Sequence, residues 1–246
     1  MTGNYLLIDI SNSFTKLAFA NRRRISKPTR VETQKFASGM LRQLLRRRKI
    51  DIIVVSSVVP KKNGVVRAAA KRSRVLWLTP KINLGVGIDY PKPKEIGADR
   101  LANAVAVGAF YGCPAIVVDF GTAVTFDIVS AQRKYIGGVI APGLEVMTNF
   151  LYRRTALLPK LSMKEPRSAV GKSTIEAMRA GAVIGYRGLI REIITRIKAE
   201  RFPRQKVHVI ATGGYADLIA KRLGEIDSVH PNLTLEGLRI VANLNA

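Results

Sequence analysis

Two short segments of this chain share an arrangement of residues that could bind phosphate. Residues 5–19 read YLLIDISNSFTKLAF and residues 115–129 read AIVVDFGTAVTFDIV, so the two copies lie at an offset of 110 residues. Each has a four-residue apolar run, an aspartate and a turn of small residues, with Asp9 matching Asp119 and Thr15 matching Thr125. Such runs bounded by turn residues are typical of buried strands. The pattern predicts two strand–turn–strand units, although Asp and small residues are also common at unrelated turns.

The chemistry of these units follows from their residue types. Backbone N–H groups and hydroxyls in a turn of small residues can bind phosphate. A carboxylate repels phosphate, so each aspartate would act through a cation or a water molecule. Two such units facing each other across a cleft would hold a nucleoside triphosphate, which points to phosphoryl transfer.

Two further segments carry candidate groups, each with an ordinary structural alternative. Gly97-Ala98-Asp99-Arg100 precedes a helix that we predict from about Leu101 to Phe110. Asp99 could be a helix cap, or it could be a general base with Arg100 as an anion anchor. The pair Gly213-Gly214 follows a strand and precedes a helix, which suits close approach of a flat ligand or phosphate but also fits an ordinary turn.

The triplet Asp119-Phe120-Gly121 spells the magnesium-binding motif of protein kinases, but its context excludes that class. The glycine-rich loop, the strand lysine motif and the catalytic-loop motif of protein kinases are all missing from the sequence. A Walker A lysine loop is missing as well.

The elements that must position these residues alternate between strand and helix. Strands are predicted at 51–59, 75–78, 115–118, 134–140 and 207–210. Helices are predicted at 35–49, 62–74, 101–110, 143–157, 215–223 and 234–244. Residues 174–200 are predicted as one long helix or as two helices that are separated near Gly185 or Gly188. This alternation predicts an α/β protein with crossover-connected sheets. The lobes would divide near residues 111–114, and the final helix could pack back on the first lobe.

Composition excludes several classes of site. The 246 residues suit one large domain or two small ones. The single Cys113 cannot form an internal disulfide framework, and with only His208 and His230 a His/Cys zinc site is not expected. A histidine-based triad would have two candidates, neither in a known motif.

The charge is the unusual feature of the composition. The net charge is +24, from 41 Lys and Arg against 17 Asp and Glu. Its clusters are Arg22–Arg24, Arg46–Lys49, Lys61–Lys62 and Lys71–Arg74. Such a charge often marks nucleic-acid or membrane binding. Because no cluster falls in a candidate chemical motif and aromatic residues are only 7%, we interpret it as a solvated basic surface that attracts anionic substrates.

No membrane segment or secretory signal is expected. The N-terminus has no basic region before its apolar run. The eighteen uncharged residues between Arg100 and Asp119 reach the threshold for a spanning helix, but Asn103 and the break at Gly112-Cys113-Pro114 interrupt them. We therefore expect a cytoplasmic protein.

Taken together, the motifs resemble those of the type III pantothenate kinases, and the resemblance runs nearly end to end. The matching segments are LLIDISNSFTKLAF at 6–19, VVSSVVP at 54–60, IDYPKPKEIGADRLANAVA at 88–106, VDFGTAVTFD at 118–127, YIGGVIAPGLEVM at 135–147, TALLPKL at 155–161, GKSTIEAMRAG at 171–181, ATGG at 211–214 and NLTLEGL at 232–238. The family lies in the acetate and sugar kinase/actin superfamily. The resemblance implies two duplicated ribonuclease-H-like lobes with mixed sheets flanked by helices, at 1–113 and 114–246.

The implied activity is ATP-dependent phosphorylation of pantothenate to 4'-phosphopantothenate, the first step of coenzyme A biosynthesis. By matching position, Asp9 would organise Mg²⁺, Asp119 would help hold a monovalent cation, K⁺ or NH₄⁺, and Asp99 would take the proton from the pantothenate hydroxyl. The other ATP and phosphate contacts would be Asn12, Ser13, Lys16, Gly121, Thr122, Thr125, Gly213 and Gly214. The other pantothenate contacts would be Tyr90, Gly97, Ala98, Arg100 and, reaching from the partner subunit of a homodimer, Thr174.

One residue departs from the family pattern. The first motif of the family is Asp-x-Gly-Asn-Thr/Ser, and here Ser11 stands at the glycine. A positive φ at this position would strain the serine by about 1–2 kcal/mol, whereas an ordinary φ would cost little and add a hydroxyl. We expect Ser11→Gly to leave activity equal or higher.

Two other functions remain open from the sequence. One is a nucleic-acid-binding or regulatory protein on the same fold, which the basic charge would suit but for which no recognition motif is present, so no specific nucleic acid is expected. The other is a different small-molecule kinase of the superfamily, which the segment from Tyr90 to Arg100 argues against because it resembles the pantothenate pocket.

Overall fold

A computed structural model describes residues 4–46, 48–70 and 73–246. Arg47, Lys71 and Arg72, from two of the basic clusters, lie outside the described residues. The eleven strands of the described chain are β1 (Tyr5–Ile10), β2 (Phe14–Ala20), β3 (Thr29–Glu32), β4 (Ile52–Ser57), β5 (Arg74–Trp77), β6 (Gly87–Ile88), β7 (Ala115–Phe120), β8 (Ala123–Val129), β9 (Lys134–Pro142), β10 (His208–Gly213) and β11 (Ser228–Val229). The α-helices are α1 (Ser38–Arg46), α2 (Asn63–Ala69), α3 (Ala98–Phe110), α4 (Leu144–Arg154), α5 (Thr174–Arg201), α6 (Ala216–Ala220) and α7 (Leu233–Asn245).

The strands form two mixed sheets, which confirms the predicted α/β class. The first sheet has the order β3-β2-β1-β4-β5, and the second has the order β11-β10-β7-β8-β9-β6. In each, a buried central strand pairs antiparallel with the next strand in sequence and parallel with a later one: β1 with β2 and β4, β7 with β8 and β10. The second sheet therefore repeats the strand order of the first, with β6 added at its edge.

The chain divides into two compact units. The first comprises residues 1–110, 133–136 and 232–246, so it includes the final helix α7. The second comprises residues 111–132 and 137–231. The core of the first sheet packs apolar residues of β1 and β4 against α1 and α2, through side chains such as Leu6, Ile8, Ile53, Leu41 and Val66.

Several predicted elements differ from the observed ones. Helix α1 is shorter than the predicted 35–49, and α5 is one unbroken helix of 28 residues through Gly185 and Gly188. A Cβ added at either glycine would meet nothing within 4 Å, so neither marks a break or a close packing contact. Strand β3 was not predicted because its Thr29–Glu32 segment is largely exposed and has no apolar alternation.

Helix α7 packs closely against α3 in the first unit. A Cβ on Gly237 would lie 2.0 Å from the carbonyl oxygen of Ala102, so the two backbones approach as nearly as glycine permits. Beside this contact, the buried hydroxyl of Thr234 donates a hydrogen bond to the side-chain oxygen of Asn103 at 2.9 Å. This packing holds α3, whose first turn carries Asp99.

In the second unit, an ion pair fixes the segment between α4 and α5. The buried guanidinium of Arg187 on α5 donates two hydrogen bonds to the carboxylate of Glu165, at 2.9 and 2.6 Å, and also bonds the carbonyl oxygens of Leu218 and Ile219. The hydrogen bonds from Arg187 hold the pKa of Glu165 below its ordinary value. Glu165 therefore stabilises the folded chain while ionised.

In the part of the chain that the structure describes, no helix combines the length and apolar character that crossing a bilayer requires.

We expect Gly237→Ala to lower the free energy of unfolding by about 1–3 kcal/mol, because the added methyl group must push α3 and α7 apart. Chemical denaturation monitored by circular dichroism measures the change. Gly64→Ala on α2 is the matched control, since its Cβ meets nothing within 4 Å and helix propensity favours alanine. A Gly237→Ala protein as stable as the Gly64→Ala protein would contradict the described packing.

We expect Glu165→Gln to destabilise the protein near neutral pH but not in acid. Because the pKa of Glu165 is lowered in the folded state, its contribution is present above the ordinary carboxyl pKa and is lost as the pH falls through the folded value. Thermal unfolding between about pH 7 and about pH 2 should show the difference in melting temperature from the wild type closing only below the ordinary carboxyl pKa of about 4.3. Glu192→Gln, which breaks an exposed ion pair with Arg196, should melt at almost the wild-type temperature at every pH. A difference in melting temperature between Glu165→Gln and the wild type that stays constant with pH would contradict a stabilising role for the ionised Glu165.

Candidate active site

Asp9 lies near the end of the central strand of the first sheet and is buried. In the strand register it faces Lys16 of β2 on one side and Ser56 of β4 on the other. Asn12 and Ser13 are exposed at the tip of the turn that follows. The sheet thus gathers a carboxylate, an amine and small polar groups at the edge where β1 ends, as the sequence predicted.

The turn after β1 is tied to a neighbouring segment by Thr33. The hydroxyl of Thr33 donates to the carbonyl oxygen of Ser11 at 2.6 Å and shares a hydrogen bond with the buried hydroxyl of Thr15 at 3.0 Å. The N–H of Thr33 donates to the carbonyl oxygen of Ser13 at 3.0 Å. These bonds hold the turn backbone so that its remaining polar groups can face a ligand.

Ser11 adopts an ordinary backbone conformation. Among the described residues, the only non-glycine residues with positive φ are Arg133 and Arg204. The strained alternative for Ser11 is therefore wrong, and its hydroxyl lies 3.3 Å from Oδ2 of Asp9, to which it donates. The serine replaces glycine without strain and adds a contact to the carboxylate.

The second unit repeats this arrangement around Asp119. Asp119 near the end of β7 faces Thr125 of β8 on one side and the buried Thr212 of β10 on the other. The turn residues Gly121 and Thr122 are exposed. The carbonyl oxygen of Thr122 accepts the N–H of Gly143 at 3.1 Å, which fixes the turn against the start of α4.

The register corrects one detail of the sequence repeat. At an offset of 110, Thr15 matches Thr125, but Thr125 pairs with Asp119 whereas Thr15 pairs with Ile10. The first turn is one residue longer, so Lys16 is the structural counterpart of Thr125. Thr15 is fully buried and serves the Thr33 contact instead.

Gly213 and Gly214 lie directly beside Asp119. Gly213 has a φ of +94°, and a Cβ there would lie 2.6 Å from Oδ1 of Asp119 and 2.6 Å from the backbone nitrogen of Phe120. The N–H of Gly214 donates to the carbonyl oxygen of Phe120 at 3.0 Å. Glycine at 213 is therefore required both by the backbone conformation and by the close approach of the carboxylate.

Asp99 stands in the first turn of α3, in a similarly close contact with a glycine. A Cβ on Gly97 would lie 2.5 Å from Oδ1 of Asp99 and 3.5 Å from a methyl group of Val58. The N–H of Val58 donates to the carbonyl oxygen of Ile10, one residue after Asp9. The Asp99 segment and the Asp9 turn therefore meet through Val58 at one edge of the first sheet.

The other residues predicted to contact pantothenate surround this segment. Tyr135 joins two of them, because its ring meets Tyr90 edge-on at 6.1 Å and lies under the guanidinium of Arg100 at 5.6 Å. Ala98, half-buried, is the first residue of α3. Thr174 is separate: it is exposed at the start of α5 in the second unit, after the N-cap Ser173.

Sequence reasoning missed three residues at these sites. Ser56 and Thr212 place buried hydroxyls on the parallel neighbours of Asp9 and Asp119, and Tyr135 links Tyr90 to Arg100. The available signal was a polar residue ending an apolar strand, as in the runs VVSS and VIAT. Without the sheet order, nothing in the sequence assigned those strands to neighbouring positions.

The donor set suits a metal ion that arrives with phosphate. Among the described residues, no three or more His, Cys, Asp or Glu are arranged to hold a metal ion. Mg²⁺ is commonly held by one or two carboxylates together with substrate phosphates. Asp9 fits that pattern, and beside it the buried hydroxyl of Ser56 has no hydrogen-bond partner among the described residues.

Comparison with solved structures defines the class of fold. A ROK hexokinase from Thermus thermophilus matches with a TM-score of 0.51 at 10% identity, covering 97% of this chain and 98% of its own. A structure from Campylobacter jejuni, described as a conserved putative Baf family transcriptional activator, matches with a TM-score of 0.60 at 20% identity, covering 98% of each chain. At these identities the likeness concerns the fold alone, an α/β arrangement of two mixed sheets with flanking helices.

Sequence comparison gives the family. The profile described as type III pantothenate kinase matches residues 5–196. A protein of Akkermansia muciniphila named type III pantothenate kinase is 49% identical over 98% of this chain and 99% of its own length. Another of that name, from Methylacidiphilum infernorum, is 41% identical over 97% of this chain and 88% of its own. This chain belongs to the type III pantothenate kinase family, which confirms the resemblance seen in its motifs.

We expect Ser11→Gly to leave the protein no more stable than the wild type. Because Ser11 has ordinary φ, glycine relieves no strain, while the unfolded chain gains about 0.5–1 kcal/mol of conformational freedom. Thermal unfolding measures the effect, with Ser13→Gly in the same turn as the control. A Ser11→Gly protein that melts clearly above the wild type would contradict the described backbone.

Proposed function

We propose that this chain transfers the γ-phosphoryl group of ATP to pantothenate, forming 4'-phosphopantothenate in the first step of coenzyme A biosynthesis. The observation that carries the proposal is the meeting of the Asp9 turn and the Asp99 segment through Val58, in a chain that belongs to the type III pantothenate kinase family. This contact supports a phosphate-binding turn and a carboxylate base that act together at one edge of the first sheet.

Asp99 is the proposed general base. Its carboxylate lies against Gly97 and accepts the N–H of Arg100 at 2.8 Å, which orients the side chain at the start of α3. In the reaction it takes the proton of the pantothenate hydroxyl as that oxygen bonds to phosphorus and the bond from phosphorus to the ADP oxygen breaks. Arg100 and Tyr90, joined by Tyr135, hold the pantothenate carboxylate and backbone in place.

The two strand–turn units bind the nucleotide in this proposal. Lys16, Asn12 and Ser13 contact phosphate in the first unit, and Gly121, Thr122 and Thr125 do so in the second. Gly213 and Gly214 lie near the adenosine in this proposal, and a Cβ on Gly214 would meet nothing within 4 Å, which leaves room there for a flat group. Most of the catalysis in such a site comes from positioning and from neutralising phosphate charge.

Two cations complete the proposed site. Asp9 would hold Mg²⁺ bound to ATP, and Asp119 would help hold K⁺ or NH₄⁺. When bound, these cations offset the negative charge of the phosphates. The lobes of the implied ribonuclease-H-like fold would be residues 1–113 and 114–246, with the final helix packing back on the first lobe; the place of residues 232–246 in the first compact unit supports this. The expected compartment is the cytoplasm.

The family resemblance also implies a homodimer, and an apolar surface of the second unit supports it. Helices α4 and α5 border a groove of about 810 Å³ whose lining is almost entirely apolar. Four large apolar side chains that line it are exposed, namely Val146, Met147, Phe150 and Leu151. A surface of this kind commonly packs against another chain. We propose that a second copy covers it and brings Thr174 to the pantothenate pocket of its neighbour.

We expect Asp99→Asn to lower kcat for pantothenate phosphorylation by about 10²–10⁴-fold, since the amide cannot accept the proton. The assay uses purified protein with ATP, Mg²⁺ and pantothenate, with and without K⁺, and detects 4'-phosphopantothenate by mass spectrometry. Asp217→Asn, in the first turn of α6, is the matched control and should keep wild-type turnover.

Two results would contradict the proposal. Turnover by Asp99→Asn near the wild-type rate would exclude Asp99 as the base. A wild-type protein that forms no product with or without K⁺, but phosphorylates another alcohol in a substrate panel, would assign a different kinase activity.

We expect Phe150→Asp to convert the dimer to a monomer, because a carboxylate cannot be buried in an apolar interface without a partner. Light scattering after size-exclusion chromatography measures the mass. Phe110→Asp, on a similarly exposed phenylalanine of the first unit, is the control and should remain dimeric. A monomeric wild type, or a dimer unaffected by Phe150→Asp, would contradict the proposed interface.

A further inference from the structure

The first unit contains a cavity at the end of its sheet that lies away from Asp9. Its volume is about 630 Å³, within the usual range of small-molecule sites. It forms where β1 begins at Tyr5, β2 ends at Ala20 and β4 is about to begin after Ile50. Tyr5 and Ala20 are direct partners in the strand register, so one edge of the sheet supplies the floor.

This cavity is distinct from the candidate active site. Tyr5 and Asp9 are four residues apart on the same strand, which separates them by about 13 Å at the rise of a β-strand. The phosphate-binding turn follows the far end of β1, whereas the cavity lies at its start. A ligand here would not occupy the proposed ATP or pantothenate positions.

The lining of the cavity is strongly basic. Arg24, Arg48 and Lys49 contribute to it, and none of the described lining residues is acidic. The nearby carboxylate of Asp51 already accepts the N–H of Asn4 at 2.9 Å. Arg24 and Arg48–Lys49 belong to two of the basic clusters that the proposed function leaves without a role. Three cations around one concave surface suit a dianion such as a phosphate monoester.

The wall that carries Arg24 is held firmly. The side-chain oxygen of Asn21 accepts the N–H groups of Arg23 and Arg24 at 2.8 and 2.9 Å, and Ser26 bonds back to the backbone of Phe19. The carbonyl oxygen of Arg22 in this turn accepts hydrogen bonds from Arg239 and Asn243 of α7. The turn is therefore ordered before any ligand arrives, which reduces the entropic cost of binding.

The remaining lining is apolar and includes one aromatic ring. Phe19, Ile25 and Ile50 contribute apolar surface, and the guanidinium of Arg48 lies 4.3 Å from the centre of the Phe19 ring. An inorganic ion would use only the basic part of such a surface. We propose that this cavity binds a small organic phosphate, whose phosphate contacts Arg24, Arg48 and Lys49 and whose apolar portion packs against Phe19, Ile25 and Ile50.

Phenyl phosphate is a suitable probe, because it combines a phosphate with a small ring and lacks the features of a nucleotide. Calorimetric titration is performed at about 0.15 M salt on full-length protein saturated with a non-hydrolysable ATP analogue, which occupies the catalytic phosphate site. Inorganic phosphate and a 20-nucleotide single-stranded DNA are titrated in parallel. We expect phenyl phosphate to bind at least tenfold more tightly than inorganic phosphate.

The variants distinguish a specific phosphate site in the cavity from general attraction of anions to a basic protein. Arg24→Ala/Arg48→Ala should weaken phenyl phosphate binding at least tenfold, because it removes two of the three cations of the cavity. Arg42→Ala/Arg196→Ala removes the same charge from exposed positions outside the cavity and should change binding less than twofold. Both double variants should keep wild-type kinase turnover.

Three outcomes would overturn the proposal. Equal weakening by the two double variants would mean long-range attraction to a basic protein. Inorganic phosphate binding as tightly as phenyl phosphate would mean that the apolar wall has no role. Binding of the DNA but not of phenyl phosphate, lost in Arg24→Ala/Arg48→Ala, would assign the surface to nucleic acid instead.

Discussion

The candidate site depends on two glycines that leave no room for a side chain next to a carboxylate. A Cβ on Gly97 would lie 2.5 Å from Oδ1 of Asp99, and a Cβ on Gly213 would lie 2.6 Å from Oδ1 of Asp119. At Gly213 the backbone of Phe120 is equally close and φ is positive, so glycine is also required by the chain conformation. Each carboxylate thus takes its position from the missing side chain of a neighbouring glycine.

The duplicated sheet order explains how one chain builds two such positions. In each unit a central strand carries the aspartate, an antiparallel neighbour supplies Lys16 or Thr125, and a parallel neighbour supplies Ser56 or Thr212. The two turns differ by one residue in length. The first is held by hydrogen bonds from Thr33, and the second is held by Gly143 at the start of α4. The same framework therefore presents different polar groups in its two copies.

The sequence predicted the central strands, the paired aspartates and the family, because short apolar runs and ordered motifs leave a strong local signal. It wrongly matched Thr15 to Thr125, because an alignment at constant offset cannot detect that the first turn is one residue longer than the second. It also left open a break in α5 that the structure does not have, because glycines in a long helix weaken it without ending it. The roles of Ser56, Thr212 and Tyr135 depend on contacts between distant segments, which no local pattern encodes.

The basic charge gains a partial structural explanation. Two clusters, Arg22–Arg24 and Arg46–Lys49, contribute residues to one cavity at the start of β1, although they are far apart in sequence. From the sequence they were two separate solvated runs. The hairpin of β1 and β2 and the parallel strand β4 bring them together. The start of β1, the end of β2 and the start of β4 all lie at the same edge of the sheet.

Gly97 lies against the carboxylate of Asp99, the proposed general base, so the kinetics of Gly97→Ala show whether this contact positions the base. We predict that kcat for pantothenate phosphorylation falls at least tenfold while KM for ATP stays within about twofold and the melting temperature is unchanged, because only the carboxylate must move. A Gly97→Ala enzyme with wild-type kcat would show that Gly97 does not set the position of the Asp99 carboxylate.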